Sequence, residues 1–187
     1  SNAKVVVVPE TGGVTDADAL AELLAADPQA ACFYMQQPNY YGCLEDADSL
    51  GRIAHEAGAK FIMGCNPISL ALLKTPAECG ADIAVGDGQP LGMSLAFGGP
   101  YLGFMAATAA MTRKLPGRIV GETKDGQGNR AFVLTLQARE QHIRREKASS
   151  NICSNQALCA LTASVYMTAM GADGMEEAAG QCMSKAH

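Results

Sequence analysis

A chain of 187 residues with 48% hydrophobic and 18% charged side chains has the composition of an ordinary globular domain. No apolar run approaches the roughly 18 residues of a membrane-spanning helix, so a membrane protein is not expected. The net charge of −5 and pI near 5.1 argue against a nucleic-acid surface, which clustered Lys and Arg would supply.

Ser1-Asn2-Ala3 has the look of a tag-cleavage remnant, and no charged, apolar and small-residue leader follows it, so no signal peptide is expected. Val5 to Val8 is a β-branched run ending at Pro9, the pattern of a strand buried on both faces. Thr15 is placed to cap a helix carrying Ala19, Leu20, Leu23 and Leu24 on one side and stopping at Asp27-Pro28. Ala31 to Met35 reads as the next strand. A second helix runs from about Asp46 to Ala57, with Leu50, Ile53, Ala54 and Ala57 on one face and Gly58 as its stop. Strands over Lys60 to Met63 and Ile83 to Val85 follow, separated by a short helix at Ser69 to Leu73. This alternation predicts an α/β fold with a central, mostly parallel sheet flanked by helices.

Gly86 to Gly103 is too rich in glycine and proline for a regular element. It is therefore expected as loop at the carboxyl ends of the strands, where open α/β sheets place their sites. Leu102 to Thr108 returns as a strand, and Arg118 to Glu122 with Ala131 to Leu136 forms a hairpin around 124–129. Gln137 to Lys147 is strongly charged. Asn155 to Met170 is a helix with Leu158, Leu161, Val165 and Ala169 in register, ended by Gly171, and a further helical piece follows.

The seven cysteines have irregular gaps and no C-x-x-C pair, so they read as small apolar residues of a reducing cytosol and not as metal ligands. Gly86-Asp-Gly-Gln-Pro-Leu-Gly92 misses the dinucleotide spacing by one position, and no helical pattern follows it. No P-loop or G-x-S-x-G elbow is present.

Longer words carry more. QQPNYYGCLED (36–46), AHEAGAKFIMGCNPISLALLK (54–74), ADIAVGDGQPLGMSLAFGGPYLGFMA (81–106) and GRIVGETKDGQGNRAFVLTLQAREQHIRREKASSNICSNQALCAL (117–161) closely resemble the P-protein family, the glycine dehydrogenase (decarboxylating) of the glycine cleavage system. The resemblance is to the first, α, subunit of its two-subunit form and covers the chain from Lys4 onward. It implies part of the aminotransferase-like large domain of the fold type I pyridoxal-phosphate enzymes over 4–150. Residues 151–187 would then be a helical linker towards a C-terminal domain.

It further implies a cytoplasmic enzyme that decarboxylates glycine and passes the aminomethyl group to the lipoyl arm of the H-protein. Such chemistry needs a lysine to hold pyridoxal 5'-phosphate and an acid facing its pyridine nitrogen. The stretch matching the family's His-Lys pair is Asp87-Gly88-Gln89-Pro90, no lysine lies between Lys74 and Lys114, and Met63 to Asn66 carry no carboxylate. The resemblance therefore implies a non-catalytic partner, with the cofactor on the β subunit, no catalytic or metal-binding residue here, and a fragment inactive alone. Gln37, Asn39, Asp87 and Gln89 are candidates for lining a pocket. Arg139, His142, Arg144 and Arg145 are candidates for contacting the β subunit or H-protein. The rival readings are a self-sufficient aminotransferase-like enzyme, against which the missing lysine speaks, and a non-enzymatic interaction module.

Overall fold

The computed structural model describes residues 3–116, 119–136, 140–148 and 156–187. They form two compact units, Ser1–Ala106 with Asn155–His187, and Ala107–Ser154.

The first unit begins with a two-stranded antiparallel hairpin, β1 (Glu10–Thr11) and β2 (Val14–Thr15), turning through Gly12 and Gly13 at positive φ. Helix α1 (Ala17–Ala26), strand β3 (Cys32–Gln37), helix α2 (Ala47–Glu56) and strand β4 (Lys60–Cys65) follow. After a 3-10 turn at Ser69–Ala71 come β5 (Ile83–Asp87) and β6 (Gly103–Ala107), completing a sheet of order β3-β4-β5-β6. β3 pairs parallel with β4, and β4 with β5. Gly88 N–H donates to Leu102 O at 2.6 Å while the Phe104 ring lies at Gly86. Advancing on β5 thus means retreating on β6, so the last pair is antiparallel.

Side chains alternate along β3 and β4. Phe33, Met35 and Gln37, beside Phe61, Met63 and Cys65, point to one face and are buried. Leu20 and Leu24 of α1 and Ala47, Leu50 and Ala54 of α2 close over that face, with the Phe33 and Phe61 rings 6.0 Å apart. Each fully buried Leu, Phe or Met here contributes about 1.5–3 kcal/mol. Gly51 is the small residue that lets α2 approach the sheet: a Cβ there would meet the Phe61 ring at 2.7 Å.

The long helix α4 (Gln156–Ala186) breaks at Gly171 (φ 65°, ψ −176°), where the sequence places its stop. Before the break its buried residues, Cys159 and Ala163, lie away from the expected stripe; Ala163 and, beyond the break, Ala179 join Ile68 and Leu91 in a second small core. Leu158, Leu161 and Val165 are instead exposed. The expected strand at Val5 to Val8 is likewise absent. Val5 and Val7 project from the chain and only Val8 packs on the core, because among the described residues no neighbouring strand supplies a hydrogen-bonded ladder. The cap of α1 is Asp16, whose Oδ1 accepts the Ala19 N–H at 3.0 Å, and not Thr15. Of the six described cysteines, Cys65, Cys79 and Cys159 are buried while Cys32 and Cys182 are exposed.

In the second unit, a 3-10 turn (Ala109–Lys114) precedes the antiparallel hairpin β7 (Ile119–Lys124) and β8 (Arg130–Thr135). The loop between them is organised by Asp125, which accepts the N–H groups of Gln127 and Asn129. A short helix α3 (Gln141–Arg144) and a 3-10 turn (Arg145–Lys147) follow. Among the described residues, no helix is long and apolar enough to cross a membrane.

At the amino ends of β4 and β5, Asp82 ties three elements together. Its carboxylate accepts from Lys60 Nζ (2.7 Å) and the Phe61 N–H (3.0 Å) and meets His55 Nε2 of α2 at 2.8 Å. Burial pushes its carboxyl up, but the bonds from Lys60, the Phe61 N–H and His55 outweigh this and hold it at about 2, below the ordinary 3.8. The stabilisation is therefore complete above pH 4 and disappears as pH falls from about 4 to 2, amounting to about 2 kcal/mol. Asp82→Asn should lower stability at pH 7 by about that much and remove this segment of the acid-unfolding profile, measured by urea unfolding at stepped pH.

Candidate functional site

Tyr34 and Gln36 of β3 and Gly64 of β4 face away from α1 and α2, and with the carboxyl ends of β4 and β5 they line an open cleft of about 440 Å³. Tyr34, Gln36, Gly64, Cys65, Asn66, Asp87, Gln89 and Tyr101 supply most of its wall. The phenol of Tyr34 closes on Gly64, where a Cβ would collide with its hydroxyl end. Gly86 is equally constrained, since a Cβ would strike the Cys65 carbonyl and the Phe104 ring.

The loop after β5 is held by its own polar groups. Asp87 Oδ1 accepts the N–H groups of Gln89 (2.7 Å) and Leu102 (3.4 Å), and Gln89 Nε2 donates to Met93 O at 2.6 Å. Asn66 Oδ1 accepts the Ile68 N–H at 3.0 Å and turns the chain out of β4. Burial pushes the Cys65 thiol up, so it stays protonated and is a poor nucleophile.

Two of the four pocket candidates, Asp87 and Gln89, line the cleft. Gln37 and Asn39 do not. Gln37 points to the helix-covered face, and its amide pairs with the backbone of Glu45 (Nε2 to O 3.2 Å, N–H to Oε1 2.9 Å). Asn39 accepts the N–H groups of Tyr41 and Cys43 and donates to Gly13 O and Glu45 Oε1. The cleft takes Gln36 instead, because adjacent strand residues face opposite ways. Along β3 buried and exposed residues alternate, with Phe33, Met35 and Gln37 on the buried side, and this alternation separates the two glutamines. Tyr34 and Tyr101 carried no sequence signal beyond their place near strand ends. His142, Arg144 and Arg145 are exposed in the second unit, and Arg139 lies outside the described residues.

The lining can hydrogen-bond a ligand, but it contains no Lys, Arg or His. It offers neither an amine for a Schiff base nor a cation for a phosphate, and Asp87 would oppose an anion there. Among the described residues, no three His, Cys, Asp or Glu side chains gather as metal ligands.

The fold places the chain in a class. A cysteine desulfurase of Escherichia coli shares it at a TM-score of 0.56 and 16% identity, over 90% of this chain and 40% of that one. The architecture is that of the fold type I pyridoxal-phosphate enzymes, present as a partial domain.

The chain belongs to the glycine cleavage system P-protein family, whose pattern matches residues 2–187. It is 57% identical over 175 residues to a probable glycine dehydrogenase (decarboxylating) subunit 1 of Chlorobium luteolum, covering 94% of this chain and 39% of the relative. A solved glycine decarboxylase (P-protein) in inhibitor-bound form superposes at a TM-score of 0.85 with 48% identity, over 94% of this chain and 39% of that one. The chain thus spans about two fifths of the length of these relatives. The cofactor implied by this class, pyridoxal 5'-phosphate, does not fit the cleft, for want of the amine and cation described above.

Gly86→Ala should destabilise the chain by roughly 1–3 kcal/mol, because the backbone carbonyl of Cys65 cannot move aside cheaply. Gly103→Ala, with open space at its Cβ position, should change stability by less than about 0.5 kcal/mol. Thermal unfolding of the pair measures both.

Proposed function

We propose that this chain is part of the first subunit of a two-subunit glycine dehydrogenase (decarboxylating), and that it acts there as a structural and interface component. Family membership across residues 2–187, joined to a cleft without an amine, carries the reading. In the proposed holoenzyme, pyridoxal 5'-phosphate on the second subunit supplies the electron sink for loss of carbon dioxide from glycine. The aminomethyl group then passes to the lipoyl arm of the H-protein.

Residues of this chain take no bond-making part. The loop contacts of Asp87 and Gln89 shape the wall of the cleft, while the backbone-bound amides of Gln37 and Asn39 hold the loop after β3. The proposal includes a large-domain portion over 4–150, a helical portion over 151–187 leading towards a C-terminal domain, and a cytoplasmic location. His142, Arg144 and Arg145, with Arg139, are proposed as a cationic contact for the second subunit or H-protein; exposure of the first three supports this.

Release of labelled carbon dioxide from glycine should require both full-length subunits together. Full activity of the second subunit alone would overturn the partner role. Borohydride reduction after incubation of the first subunit with pyridoxal phosphate should label surface lysines at low occupancy. Stoichiometric label on one lysine would overturn the non-catalytic assignment.

A further inference from the structure

We draw no further inference here: the strongest candidate, the open cleft at the carboxyl ends of β4 and β5, belongs to the site already described, and its amides, two phenols and one carboxylate point to no class of ligand beyond that reading.

Discussion

Parallel registration of β3 on β4, Cys32 against Lys60 through Gln37 against Cys65, is the constraint from which the first unit follows. With a side-chain period of two, it sends Phe33, Met35, Phe61 and Met63 to α1 and α2 and leaves Tyr34, Gln36 and Gly64 for the cleft. A slip of one residue would exchange the two sets and expose the core. The register is pinned at the far end by Asp82, whose carboxylate meets Lys60 and the Phe61 N–H of β4 and His55 of α2.

The two ends of the sheet therefore differ in chemistry. The amino end concentrates charge around the buried, fully partnered carboxylate of Asp82, where electrostatics serves stability. The carboxyl end, where α/β folds keep their sites, is lined by amides, two phenols and one carboxylate. Polar side chains there mostly bind their own backbone: Asn66 turns the chain after β4, Asp87 and Gln89 organise the loop after β5, and Gln37 and Asn39 fasten the loop after β3. The groups that chemistry would require are absent from the wall, while the groups that rigid loops require are all in place.

The loop after β3 is held in place by a polar network. Glu45 is bound from two sides, by Asn39 and by the Thr15 N–H, and by this it couples the β1–β2 hairpin to the start of α2. The tyrosines at its tip meet edge to face while largely exposed.

Element existence was readable because the local signals are strong. β3, β4, β5, α2 and the β7–β8 hairpin fall within one or two residues of their expected bounds, and Gly58 and Gly171 mark stops by adopting positive φ. The absence of a lysine across 75–113 is also a property of the sequence alone. Tertiary structure decided the rest. Whether Val5 to Val8 is a strand depends on a pairing neighbour, and which stripe of α4 is buried depends on the small core of Ile68 and Leu91 that it meets. Whether Gln36 or Gln37 faces the cleft depends on which side of β3 the helices cover. Local propensity acts within a few residues, whereas pairing, burial and facing are set by groups distant in sequence, and no window along the chain contains them.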